Sequence, residues 1–418
     1  MRTKDNQLKI LYLSYDGMLD PLGQSQVIPY IQGLVRKGHA ITLISFEKKQ
    51  LRHGEVAMRE YLAASGIDWV PLNYRNKLPV LSILGNVSRL VRKTRDICEY
   101  KGIQAVHCRS YIPLIAGLKM KQERKLFLVF DMRGFYADER AEGGLWKRSN
   151  PIYNAIYKYF KKVEKQGIAQ ADHIVSLTTA ARVIMERDWM EARKVPVSVI
   201  PCCADPNVFT TSVEEPRIKA WKNKLDIPDD HFVLGYLGSI GTWYMLDEML
   251  AFFKVLLEKR SNAVFLFISP DPPSLILSEG VKHGIPADRI RVQRLTRNEV
   301  AEAIHVFDLS IFFIRPVFSK KASSPTKMGE LLNAGIPIIT NAGVGDVDQV
   351  YEEAFNLKPV MTFTESAYHE ALENLDHLLD QDPEHLRETA LRHFSLEQGI
   401  EAFDRIYCSL QPANDLAS

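Results

Sequence analysis

Ser323-Ser324-Pro325-Thr326-Lys327-Met328-Gly329-Glu330 sets two hydroxyls, a lysine and a carboxylate directly before the apolar run Leu331 to Thr340. The segment reads as a polar, basic loop, a short helix, and a Gly335-Ile336-Pro337 turn into a buried strand. Ser323 or Ser324 is expected to cap the free N–H groups of that helix, with Pro325 in its first turn. A helix N-terminus beside Lys327 suits a phosphate group. Glu330 could take hydrogen bonds from a vicinal diol such as that of ribose. Phosphate and diol together describe a site for a nucleotide diphosphate sugar, although an ordinary capped helix with an exposed Lys and Glu would carry the same residues.

Further chemistry-bearing residues follow other apolar runs. Gly23 and Gln24 lie in Tyr15–Gln26, where glycine would let backbone N–H groups approach an anion and Ser25 could cap the next helix. His107-Cys108-Arg109-Ser110 offers a planar guanidinium for a phosphate or carboxylate, and a histidine that either touches the sugar or sits satisfied in the core. In Asp131-Met132-Arg133-Gly134 the charges either pair with each other or bind the acceptor, with a carboxylate such as Asp131 or Glu139 as base. Gly238-Ser239-Ile240-Gly241-Thr242 suits a backbone cradle for a diphosphate or a plain strand-to-helix turn, and Arg315, Lys320 and Lys321 add positive charge. No cysteine or histidine spacing suggests a metal, and none is expected as cofactor.

These residues need a frame. Both halves alternate short apolar strands with amphipathic helices, which predicts an α/β chain of two parallel-sheet domains. Strands are expected at Lys9–Ser14, Ala40–Phe46, Trp69–Leu72, Ala105–His107, Leu126–Asp131, His173–Leu177 and Val197–Ile200. In the second half they fall at Phe232–Leu237, Ala263–Ile268, Ile290–Val292, Leu309–Phe313 and Ile336–Thr340. The expected domains are 1–203 and 204–394, with residues 201–230 as linker and entry, followed by a helix Leu396–Leu410 and tail within 395–418. The candidate residues cluster where strands end, and ligands of open parallel sheets bind there.

At 418 residues the chain is too long for one ordinary core. No apolar run approaches the roughly 20 residues of a membrane span. Five cysteines read as reduced thiols of a cytoplasmic protein. Residues 1–200 carry 33 Lys and Arg against 19 Asp and Glu, and the remainder 20 against 32. The first half should therefore meet something anionic. Leu145–Gly167 interleaves Trp146, Tyr153, Tyr157 and Phe160 with Lys147, Arg148, Lys158, Lys161, Lys162 and Lys165, the pattern of a helix lying on an anionic membrane surface or of one packed on a sheet with a solvated basic face. No recognition motif points to nucleic acid.

Taken in order, these motifs resemble the group-1 (family four) retaining glycosyltransferases of the GT-B fold. The resemblance rests on Pro21 to Gln26, Leu34 to His39, Asp131 to Gly134, Ala171 to Val175, Val199-Ile200-Pro201 with Asp205 and Phe209, and Glu330 to Pro337. It implies two Rossmann-like domains facing across a cleft and a last helix returning to the first. It also implies Glu330 on the donor ribose, and the basic first domain fits a glycan or lipid-linked acceptor of cell-surface polysaccharide synthesis, with the protein peripheral on the inner face of the membrane. The family pattern often has a Glu where Ala322 stands, an Arg at Ser239 and a Lys near Met245. Those departures keep open a nucleotide-sugar epimerase or a catalytically silent sugar-nucleotide binder.

Overall fold

The computed structural model describes residues 8–75, 79–190 and 194–410, with backbone alone at 79–81. The expected residues 1–7 and the tail 411–418 lie outside it. The chain forms two compact units, residues 1–201 with 396–418, and residues 202–395.

The first unit holds seven strands, β1 (Lys9–Ser14), β2 (Ala40–Glu47), β3 (Asp68–Asn73), β4 (Ala105–Arg109), β5 (Phe127–Asp131), β6 (His173–Ser176) and β7 (Val197–Val199). All pair in parallel, in the order β3-β2-β1-β4-β5-β6-β7. The second unit holds β8 (Val233–Leu237), β9 (Val264–Ile268), β10 (Ile290–Gln293), β11 (Leu309–Phe312) and β12 (Ile338–Thr340), in the order β10-β9-β8-β11-β12. β4 and β8 are buried along their whole length, as strands covered on both faces must be. In each sheet the strand order reverses once, between β1 and β4 and between β8 and β11. The carboxyl ends at those points are where an open sheet offers a crevice.

Register then fixes what meets there. Ser14 is level with Arg109, and Arg109 with Asp131, so three adjacent strands end together. β4 runs two residues beyond its expected end, which makes Arg109 a strand residue, 3% exposed, rather than part of a loop. The segment 201–230 is not a bare linker either. It contains the helix Glu215–Lys224, whose Trp221 is buried in the core of the second unit.

The helix Leu396–Ser409 belongs to the first unit. Phe403 meets Tyr30 edge-on at 5.7 Å, and Asp404 Oδ1 lies 2.8 Å from His39 Nε2. Tyr407, fully buried, places its hydroxyl 2.8 Å from His107 Nδ1.

Candidate active site

In the second unit, the helix Thr326–Asn333 carries Lys327 toward the end of β8. The side chain is 6% exposed, and its Nζ has no hydrogen-bond partner. The ammonium lies 3.5 Å from the ring centre of Tyr244, 3.9 Å from Tyr236 and 5.8 Å from Phe312. Gly238, in the left-handed region at φ 105°, borders the ammonium, and a Cβ there would stand in van der Waals contact at 3.5 Å from Nζ. A charge on ring faces gains about 0.5–2 kcal/mol. Removal from water without an anionic partner costs several kcal/mol. Desolvation wins. It pushes the Lys327 pKa well below the ordinary lysine value, and Glu330 opposes this only in part.

Glu330, three residues on, is held by Arg297, whose Nη1 is 3.6 Å from Oε1. Burial pushes the Glu330 carboxyl up to about 7 against the pull of Arg297 and Lys327. Lys320 is buried with Nζ 3.9 Å over the Trp243 ring, not solvated. Arg315 and Ser239 are exposed beyond β11 and β8, and the Ser239 carbonyl accepts from Tyr236 Oη at 2.7 Å. The expected serine cap is absent. Pro325 is the N-cap and Ser324 Oγ accepts from Cys202 N at 3.1 Å, while Ser323 N donates to the Lys320 carbonyl. The reason is tertiary, because the Ser324 hydroxyl, which follows the 3-10 turn Phe318–Ala322, is taken by Cys202 N.

The first unit gathers His107, Arg109, Asp131 and Arg133 as one buried cluster. Asp131 Oδ2 is 3.5 Å from His107 Nε2 and 3.9 Å from Arg109 Nη1, and Oδ1 is 3.8 Å from Arg133 Nη1. Arg109 Nε also faces Asp16 Oδ2 at 3.4 Å. The choice between internal pairing and ligand binding is only half answered by this geometry. The charges do pair, yet Arg109 Nε and Nη1, Asp131 Oδ1 and His107 Nε2 lack hydrogen-bond partners. Burial lowers the His107 pKa, with Asp131 opposing. Burial alone would raise the Asp131 carboxyl, but Arg133, His107 and Arg109 together bring it below its usual value.

Gly23 and Gln24 lie in the helix Pro21–Gln26 that follows β1. A Cβ on Gly23 would collide with the Gly17 carbonyl, so the missing side chain serves the packing of this loop on itself. Ser25 lies inside the helix Pro21–Gln26 and bonds back to Leu22, while Gln24 is exposed. The loop is anchored by Glu47, whose buried carboxylate accepts from Met18 N and Leu19 N at 2.9 and 3.1 Å. For a metal, the one group of three His, Cys and acidic side chains found among the described residues is His39, Asp404 and Cys408, within 4.8 Å of one another.

Residues 25–208 match the family described as Glycosyltransferase Family 4. The chain carries a family 4 glycosyltransferase domain. Solved structures show that the whole chain has the GT-B fold. Sucrose-phosphate synthase from Thermosynechococcus elongatus is 14% identical with a TM-score of 0.72, over 97% of this chain and 99% of that one. Anabaena HepE, in complex with UDP and glucose, is 12% identical at 0.67, over 96% and 99%. WaaG, a glycosyltransferase involved in lipopolysaccharide biosynthesis, is 15% identical at 0.65, over 95% and 99%. No curated protein matches the chain by sequence.

The transferase's basic segment is helical over Pro151–Gln170, capped by Asn150, which accepts from Ile152 N at 2.9 Å. Its inward face is Phe160, Val163, Glu164, Gly167 and Ile168. Lys161 turns in, pairing with Glu164 and with Asp138 at 2.9 Å, and Arg148 lies 4.4 Å over Tyr157. Lys158, Lys162 and Lys165 are exposed beside Ile152 and Tyr159, which are 63% and 48% exposed. No helix among the described residues is long and apolar enough to cross a membrane.

Sequence reasoning missed Arg297, Tyr236 and Tyr244 around Lys327 and Glu330, and Tyr407 and Asp16 around the buried cluster. Arg297 carried one signal. It opens a helix whose cap is a Thr296/Glu299 capping box, where the helix dipole disfavours a cation unless something else holds it.

Proposed function

We propose that the transferase moves a sugar from a nucleotide diphosphate sugar to a glycan or lipid-linked acceptor, with retention at the anomeric carbon. The observation that carries this reading is the buried Lys327 side chain, whose Nζ has no hydrogen-bond partner among the described residues and stands beside Gly238 at the end of β8. A diphosphate supplies the missing charge, and Glu330 lies one helical turn away for a ribose. In the reaction, the bond from the anomeric carbon to the β-phosphate oxygen breaks while the acceptor oxygen bonds to the same face. The acceptor proton passes to the leaving phosphate. Lys327 stabilises the charge that develops there, and Arg315 adds to the local field. The cluster of His107, Arg109, Asp131 and Arg133 is assigned to the sugar and acceptor side.

HepE was solved with UDP and glucose, which makes UDP the first nucleotide to try. Thermal stabilisation by UDP, GDP, ADP and dTDP tests the donor site. One diphosphate is expected to raise the melting temperature of wild type, with the shift lost in Glu330→Ala. An equal shift in the variant removes Glu330 from the site, and no shift with any nucleotide removes the donor reading.

A lipid-linked acceptor is supported by the exposed Lys158, Lys162, Lys165, Ile152 and Tyr159 on one helix. Each lysine near an anionic surface contributes about 1 kcal/mol. Lys158→Glu with Lys162→Glu is therefore expected to weaken sedimentation with phosphatidylglycerol vesicles by at least about 30-fold, leaving binding to neutral vesicles weak throughout. Equal recruitment by both vesicle types would count against a membrane-borne acceptor.

A further inference from the structure

We propose that Arg297 is the positioning residue that aims the Glu330 carboxylate at the donor's ribose diol, and that it thereby sets a preference for ribo- over 2′-deoxyribonucleotides. This rests on the donor site proposed above. Arg297 is the first residue of the helix Arg297–Ala303, the positive end of the helix dipole, where a cation is out of place on electrostatic grounds. It is not there to satisfy the acids of its own helix, since Glu302 accepts from Trp221 Nε1 at 3.3 Å and faces Arg217 at 3.6 Å. Glu299 is already engaged by Thr296 N and Oγ1, both at 2.9 Å, and by Lys224 Nζ at 3.1 Å. The guanidinium instead lies 5.7 Å over the buried Phe209 ring and reaches Glu330 at 3.6 Å.

The two partners differ in a way that suits positioning. The Arg297 side chain is 32% exposed, while that of Glu330 is 12% exposed. A carboxylate nearly out of water needs a counter-charge to stay ionised, and one Oε facing the guanidinium Nη1 at 3.6 Å leaves the other oxygen to accept from a ligand. The groups facing Glu330 are Lys327 on its own helix, Arg297 on the helix before β11, and Tyr244 from the loop after β8, with Cys202 beside Tyr244. Of these, Arg297 is the ion-pair partner, and Lys327 is turned into its aromatic cage.

Discrimination between the two sugars depends on the carboxylate being charged. A 2′-hydroxyl donating to a charged acceptor is worth roughly 10- to 100-fold in affinity. Glu330 titrates near 7, so the ribo preference should be small in mild acid and grow as pH rises through that value. Without Arg297 the cation that pulls this pKa down is gone, and the inflection moves upward. The ratio of two dissociation constants isolates the effect, because both nucleotides carry the same diphosphate and Lys327 acts equally on each.

The experiment is calorimetric titration of UDP and 2′-deoxy-UDP from pH 6 to 9 on wild type, Arg297→Met and Arg297→Lys, with the GDP and ADP pairs run alongside. Support is a ribo preference in wild type that rises through about pH 7, collapses toward unity in Arg297→Met at pH 7, and returns at higher pH. Arg297→Lys, which keeps the charge without the fork, should hold the wild-type inflection with a reduced ratio. A ribo preference identical in all three proteins overturns the role of Arg297 and leaves the donor site standing. Failure of every nucleotide to bind wild type overturns both. Being partly exposed, Arg297 can be replaced without opening the core, and circular dichroism of the two variants verifies this.

Discussion

Replacing Lys327 with Met is expected to stabilise the protein by about 1–4 kcal/mol and to cut kcat/KM for sugar transfer by about 10²–10³-fold. The two effects have one cause. In the free protein the ammonium has three aromatic rings and no anion, so ring-face attraction only partly offsets its desolvation. A methionine of similar length fills the same space without that cost. For a unit of this size each kcal/mol appears as about 2–4 °C in melting temperature. Removing the cation leaves the leaving diphosphate without its buried counter-charge, the loss seen when one preorganised donor is deleted from an oxyanion site.

The same residue imposes a pH dependence. Its folded-state pKa is lowered, so between that value and the ordinary lysine range the unfolded chain binds more protons than the folded one. Stability contributed by Lys327 therefore rises with pH across that window. In Lys327→Met this rise should vanish, which denaturant unfolding at pH 7 and 9 measures directly. A variant that melts lower than wild type and transfers sugar normally would show that Lys327 is a structural cation with an anion elsewhere.

Strands were legible because burial on both faces of a parallel sheet writes a continuous apolar run, as in Val233–Leu237 and Val264–Ile268, and no distant residue is needed to see it. Lys327 and Glu330 were legible as types, since helix spacing and the strand that follows are local. Their environment was not. Tyr236 and Tyr244 reach Lys327 from some ninety positions earlier in the chain, and Arg297 reaches Glu330 from another helix, contacts that only sheet order brings about. Ser324 shows the converse. Its type and position predict a helix cap, but a tertiary partner, Cys202 N, takes the hydroxyl. His107 likewise could be read as core or as touching the sugar, and what sequence could not supply is its partners, Tyr407 Oη 2.8 Å from Nδ1 and Asp131 Oδ2 3.5 Å from Nε2.

Asp131→Asn is expected to cost about 3–5 kcal/mol, the penalty for removing one partner from a buried ionic group. Asp131 is 1% exposed and Arg109 3%, and the carboxylate stands within 4 Å of both arginines. Asparagine keeps the shape and removes the charge, leaving Asp16 as the carboxylate that still faces Arg109. Arg133 sits at φ 57° and Ser110 at φ 72°, left-handed backbone that costs of order 1–3 kcal/mol each and persists only where surroundings fix it. Losing the carboxylate loosens one of those constraints, so the loss should exceed that of an ordinary surface pair. The depressed pKa of Asp131 means its contribution is present above the ordinary carboxylate range and fades as pH falls through the lower folded value, so wild type and variant should converge in strong acid. Arg109→Lys separates stability from catalysis, because it keeps the charge and gives up the planar fork. A cluster that only holds the fold would tolerate that change with unaltered kinetics. One that binds sugar or acceptor should lose kcat/KM by more than tenfold at nearly constant melting temperature, since Arg109 Nε and Nη1, ion-paired but without hydrogen bonds, would then be the donors offered to the ligand.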